Sequence, residues 1–127
     1  KFLNKSKLIQ LSDFIIICTD LNKTSYHLFD KKEFKLAKKN LIIINIARGP
    51  VINEKELIKS LKKNKNMKAG LDVFEIEPLP KNNFLRKSKN VLLSSHNAFN
   101  TIEAVKKTND DAIKNIIRGF KNAWFWC

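Results

Sequence analysis

Apolar residues in this chain gather in two dense runs, Phe14-Ile15-Ile16-Ile17-Cys18 and Leu41-Ile42-Ile43-Ile44-Asn45-Ile46, separated by polar, lysine-rich stretches. Continuous β-branched runs of this kind predict strands buried on both faces, the signature of a parallel sheet. Met67 to Val73 and Val91-Leu92-Leu93-Ser94 predict two more strands, the first of them ending at Asp72. Helical spacing fills the intervals between them. Leu8 to Leu11 reads as the end of a helix, and Lys31 to Lys39 as a short amphipathic helix around Phe34, Leu36 and Ala37. Leu57, Ile58 and Leu61 form the stripe of a third helix that closes at Lys65-Asn66, and Asn53 with Glu56 matches a capping box at its start. Pro78 and Pro80 mark a loop. Asn100, with Glu103 at the matching position, predicts the cap of a long closing helix that carries Val105, Ala112, Ile113, Ile116, Ile117 and Phe120 and runs to about Asn122.

Alternating strands and helices predict an α/β domain with a mostly parallel sheet. A length of 127 residues suits one domain and is short for a complete two-domain enzyme. No apolar run approaches the ~20 residues a membrane-spanning helix requires, and Lys1-Phe2-Leu3-Asn4-Lys5 is no signal-peptide core. The expectation is a soluble, cytoplasmic protein with no membrane partner. The chain begins without methionine, in what reads as mid-domain sequence, so a fragment is expected.

Charge changes this picture little. A net charge of +13 invites a nucleic-acid reading. Yet Lys31, Lys32, Lys35, Lys38 and Lys39 fall in one predicted helix and Lys55, Lys59, Lys62, Lys63 and Lys65 in another, at the spacing of solvated faces. No nucleic-acid partner is predicted. Cys18 and Cys127 have no CxxC spacing, which predicts no structural disulfide. His27 and His96 are the only histidines, and no metal site is predicted. Trp124 and Trp126 form a terminal apolar cluster with no chemistry assigned.

Candidate chemistry sits where strands end, which is where ligands gather in open α/β sheets. Arg48 follows a strand and precedes Gly49-Pro50; its planar fork suits a carboxylate, or it is an exposed arginine in a salt bridge. His96 lies just past another strand, as a proton-exchanging group or a structural histidine. Beside it, a Glu77 carboxylate would favour the imidazolium and keep a proton ready for delivery; away from it, Glu77 is a loop carboxylate in water. Asp72 either meets a ribose or nicotinamide edge or caps the following turn. His27, next to Tyr26, is assigned no chemistry.

Four ordered blocks then carry a resemblance: Ser12-Asp13 with its apolar strand, Asn45-Ile46-Ala47-Arg48-Gly49, Asp72 through Pro80, and His96-Asn97-Ala98-Phe99-Asn100-Thr101. The chain resembles, from Ser12 to about Phe120, the NAD-binding domain of D-isomer-specific 2-hydroxyacid dehydrogenases. The resemblance implies a Rossmann-like, doubly wound, mostly parallel sheet, and an NAD-dependent hydride transfer between a 2-keto acid and a D-2-hydroxy acid. In that scheme Arg48 binds the substrate carboxylate and carbonyl, His96 is the acid/base, and Glu77 supports His96. Ile46, Ala47, Asp72 and Ala98 match positions facing the nicotinamide half of the cofactor, and Cys18, Thr19 and Ser25 a segment near the ribose and pyrophosphate.

Cys18 stands where the family has His or a similar residue, and Asp20 where it has Pro. A GxGxxG turn is absent, with only Gly49, Gly70 and Gly119 in the chain. Residues 1–127 therefore read as the later half of an NAD-binding domain, incomplete at its N-terminal side and without a substrate domain. NADP stays open as the cofactor, and a homodimer is implied for the full-length protein. A noncatalytic nucleotide-sensing or protein-binding module on the same fold is the alternative, disfavoured by the joint presence of Arg48, Glu77 and His96.

Overall fold

The computed structural model describes residues 2–123, with side chains to residue 121. The isoleucine runs form β1 (Phe14–Ile17) and β2 (Ile42–Asn45), followed by β3 (Lys68–Leu71) and β4 (Val91–Leu93). All neighbours pair in parallel in the order β1-β2-β3-β4, with Ile15 opposite Ile43, Ile43 opposite Ala69, and Ala69 opposite Val91. Parallel pairing requires crossovers, and α2 (Lys31–Leu36), α3 (Glu54–Lys63) and a short 3-10 turn, Phe84–Lys87, lie within them; α1 (Lys5–Leu11) precedes β1. The α/β, Rossmann-like expectation holds. The four strands progress in one direction, so the reversal of a doubly wound sheet does not fall among them.

One face of this sheet is packed. Ile17, Ile43, Ala69 and Leu71 share a core with Ile9 from α1, Phe34 from α2, and Leu57 and Leu61 from α3. The other face presents Phe14 and Ile16 at 64% and 59% exposure and Leu92 at 76%. Burial on both faces, expected for the first strand, is therefore corrected: successive side chains alternate sides, and α1, α2 and α3 all contribute to a single core.

Local chemistry sets the element ends. Asp30 and Glu33 form a reciprocal capping box at the start of α2, and the helix stops at Leu36, where Ala37 turns extended, short of the expected Lys39. Asn53 accepts from the Glu56 N–H at the start of α3, but the Glu56 carboxylate is held by Lys59 instead of returning to the cap. The strands stop short of Cys18, Asp72 and Ser94, which leaves those residues in the loops beyond the sheet.

Residues from 97 onward belong to a second unit, whose described part, residues 97–123, carries the helix α4 (Ile102–Ala123). Its cap differs from expectation. The Thr101 hydroxyl, not Asn100, accepts from the Ala104 N–H, because the helix begins one residue after Thr101. Ile102, Val105, Ile113, Ile116, Ile117 and Phe120 are exposed on α4. Trp124 and Trp126 lie outside the described residues. No described helix is long and apolar enough to cross a membrane.

Candidate active site

Arg48 is placed by a buried amide. Asn45, the last residue of β2, is 1% exposed, and both ends of its side chain are used: Oδ1 accepts from the Ala47 N–H and Nδ2 donates to the Arg48 carbonyl, each at 3.1 Å. This folds the chain back over the strand end, and the Arg48 guanidinium reinforces the turn by donating to the Ala47 carbonyl at 2.7 Å. Gly49 comes next because nothing larger fits. A Cβ there would fall on the backbone carbonyl of Phe74 and the amide of Glu75, well inside van der Waals contact. The Arg48 loop is thereby pressed directly against the segment leading to Glu77.

Glu77 bridges two groups. One carboxylate oxygen accepts from the Phe74 N–H at 2.9 Å, and the other lies 2.8 Å from Nδ1 of His96. Burial on its own would raise the Glu77 pKa. The Phe74 N–H, the His96 hydrogen bond and charge, and the nearby Arg48 charge outweigh it and hold the carboxyl below its ordinary value of 4.5. Glu77 is therefore an anion at neutral pH, oriented toward the imidazole. His96 itself has φ 57°, a left-handed conformation uncommon for a residue with a Cβ. The Glu77–His96 pair rims a cavity of about 540 Å³ that also touches Phe74, Leu79, Arg86 and Leu93.

A second cavity of about 490 Å³ opens past the ends of β1 and β2. Its walls include Cys18, Thr19, Asp20, Ile46, Ala47 and Arg48, which brings together most of the positions expected at the cofactor. Ile46 is 43% exposed there and offers an apolar surface to a flat ring. Hydrogen bonds from Asn22 and Thr19 hold the Asp20 carboxyl below its ordinary value, so this wall is anionic. The residues present fit the nicotinamide and ribose end of a dinucleotide, and they build no cradle for its phosphates.

Ser25 and Asp72 do not line this cavity. Ser25 is buried, but its hydroxyl donates to the Asp20 carbonyl at 2.6 Å and accepts from the Asn22 N–H at 2.8 Å, which binds the loop to itself. Asp72 is buried beyond β3 and accepts a hydrogen bond from the Ser94 hydroxyl. Ala98 belongs to the second unit. Cys18 is exposed as a free thiol, and among the described residues no three His, Cys, Asp or Glu side chains group as metal ligands.

One group escaped the reading of the sequence. His27, given no chemistry, has φ 49° and places Nε2 2.9 Å from Oε1 of Glu75 while Tyr26 stacks on its ring. The partners are 48 residues apart, so no local pattern marks them.

Sequence and fold match known proteins. Residues 1–98 match the model of the D-isomer specific 2-hydroxyacid dehydrogenase, NAD binding domain, and the chain belongs to that family. It is 40% identical over 121 residues to a glyoxylate reductase of Thermofilum pendens, an alignment covering 95% of this chain and 36% of the relative. It is 42% identical over 117 residues to a glyoxylate reductase of Thermococcus litoralis, covering 92% and 35%. Among solved structures, D-mandelate dehydrogenase of Rhodotorula graminis in its apo form superposes with a TM-score of 0.80 at 34% identity, over 89% of this chain and 32% of that one. A D-isomer specific 2-hydroxyacid dehydrogenase of Xanthobacter autotrophicus, solved with NADPH and MES, gives 0.69 at 32% identity over 72% and 30%. The chain thus spans about a third of the length of the relatives it matches.

Proposed function

We propose that this chain is the catalytic-residue-bearing part of an NAD-dependent 2-hydroxyacid dehydrogenase, cytoplasmic and homodimeric at full length, that interconverts a small 2-keto acid and its D-2-hydroxy acid. The observation that carries the reading is the 2.8 Å contact between Glu77 and Nδ1 of His96, beside a loop that delivers Arg48. Arg48 receives the substrate carboxylate in the planar, two-pronged geometry of a guanidinium. His96, oriented by the Glu77 carboxylate at Nδ1, carries the transferable proton on its other ring nitrogen, Nε2. In reduction that proton goes to the alkoxide forming at the C2 oxygen; in oxidation the same nitrogen takes it back. Glu77 stays anionic throughout and favours the imidazolium.

NAD, or NADP in its place, would lie against Cys18, Thr19, Ile46 and Ala47. When bound, its nicotinamide supplies or accepts the hydride at C2. Glyoxylate is the natural first substrate to test, given the names of the relatives.

The test uses the full-length protein carrying this segment. His96→Asn keeps a residue that tolerates the left-handed backbone and removes the imidazole. Consumption of NADH with glyoxylate should slow by roughly 10²- to 10⁴-fold while NADH binding changes little. An unaltered rate removes His96 from the mechanism.

A further inference from the structure

Behind the Arg48 loop and the Glu77–His96 pair lies a polar clamp built on the Glu75 carboxylate. Oε1 of Glu75 faces two groups at once: Nε2 of His27 at 2.9 Å and the backbone N–H of Glu54, the first residue of α3, at 3.1 Å. The exchange is reciprocal, because Oε2 of Glu54 accepts from the Glu75 N–H at 3.3 Å and its Oε1 accepts from Asn83 at 2.8 Å. His27 is tied at its own backbone, where its N–H donates to the Pro50 carbonyl at 2.8 Å. Three segments distant in sequence are thus fastened at one carboxylate: the loop before α2, the start of α3 directly after the Arg48 turn, and the segment between β3 and Glu77.

We infer that Glu75, seated by His27 and Glu54, is a positioning residue that sets the separation between the Arg48 loop and the Glu77–His96 pair; this rests on the dehydrogenase reading above. Two links transmit the placement. Gly49 abuts the Phe74 carbonyl with no space between them, so the Arg48 turn and residues 74–75 move as one body. The Phe74 N–H then holds the Glu77 oxygen that is not turned to His96. The clamp contacts no reacting atom, yet a displacement of about 1 Å in a catalytic group can cost on the order of 100-fold in rate.

The experiment compares Glu75→Ala, Glu75→Gln and His27→Asn in the full-length protein, reading kcat for glyoxylate, NADH affinity, and hydrogen exchange at the Phe74 amide. Glu75→Gln is the informative control, because one amide oxygen at the Oε1 position still accepts from both partners. The expected result is a fall in kcat of at least ~10-fold in Glu75→Ala and His27→Asn, with unchanged NADH affinity and faster Phe74 exchange, and Glu75→Gln within about 3-fold of the parent. Parent-like kcat and exchange in the first two variants, or equal losses in Glu75→Gln and Glu75→Ala, overturn the proposal. If Glu75→Ala does not fold, His27→Asn, whose new side chain tolerates the positive φ, carries the same comparison. Failure of the parent to reduce any 2-keto acid refutes the dehydrogenase reading alone; Phe74 exchange, which needs no turnover, then decides the clamp.

Discussion

A methyl group added at Gly49 and one added at Gly70 should have opposite fates, although both glycines stand at strands or strand ends of the same sheet. In Gly49→Ala the new Cβ overlaps the Phe74 carbonyl and the Glu75 amide, which are backbone and cannot rotate away. Ordinary carbon contacts lie near 3.5–4.0 Å, so the two segments must separate by more than about 1 Å. Separation loosens the hydrogen bonds joining residues 74–75 to Glu54 and Glu77. Overpacking of this kind costs about 3 kcal/mol, a sizeable part of the 5–15 kcal/mol that typically holds a domain together. For a domain of this size the melting temperature should fall by roughly 10–20 °C. In Gly70→Ala the new Cβ meets only Ile44 side-chain carbons, at 3.6 and 3.8 Å, which is ordinary contact. Removing a flexible glycine from a strand should leave stability unchanged or raise it by up to about 1 kcal/mol. Thermal melts followed by circular dichroism on the two variants and the parent decide the matter. Equal melting temperatures for Gly49→Ala and Gly70→Ala would refute the argument that the Arg48 loop and residues 74–75 are in unyielding contact.

Two further outcomes follow from the same geometry. Arg48→Lys replaces the planar fork with a point charge, so in the full-length protein kcat/KM for 2-keto acids should drop by more than for ketones lacking the carboxylate; equal losses would place carboxylate recognition elsewhere. Glu33 is buried, and burial alone would raise its pKa, but the Lys5 ammonium at 2.7 Å and the Asp30 N–H at 3.1 Å hold it below the ordinary 4.5. A depressed carboxylate stabilises the fold above its unfolded-state pKa and loses that contribution as pH falls through its folded-state pKa. The stability gap between the parent and Glu33→Gln, read from urea midpoints, should therefore be widest near neutrality and shrink below about pH 4.5; a gap independent of pH would remove the ion pair as its cause.

What could be read from the sequence was whatever depends on near neighbours or on a whole motif. Consecutive isoleucines predict strands wherever they occur, and Ile15–Ile17 and Ile42–Ile44 lie in β1 and β2. The proximity of Glu77 and His96, left open by their 19-residue separation, came from the family resemblance and is met at 2.8 Å. Less legible was anything set by the third dimension. Both faces of β1 look alike in sequence, and only the placement of α1, α2 and α3 at one core distinguishes Ile17 from Ile16. Ser25 has the right chemistry for a ligand but spends its hydroxyl on Asp20 and Asn22. Glu56 has the right spacing for a capping box, yet Lys59 one turn away competes for it. His27 and Glu75 carry no mutual signal at all, since their meeting depends on how three loops cross.

The left-handed backbone at His96 sets backbone comfort against the proposed chemistry at a single residue. Glycine, and to a lesser degree asparagine, would sit in that conformation more comfortably than an imidazole does. On the mechanism proposed above, the imidazole at residue 96 is held at a backbone position that a glycine or asparagine would occupy with less strain.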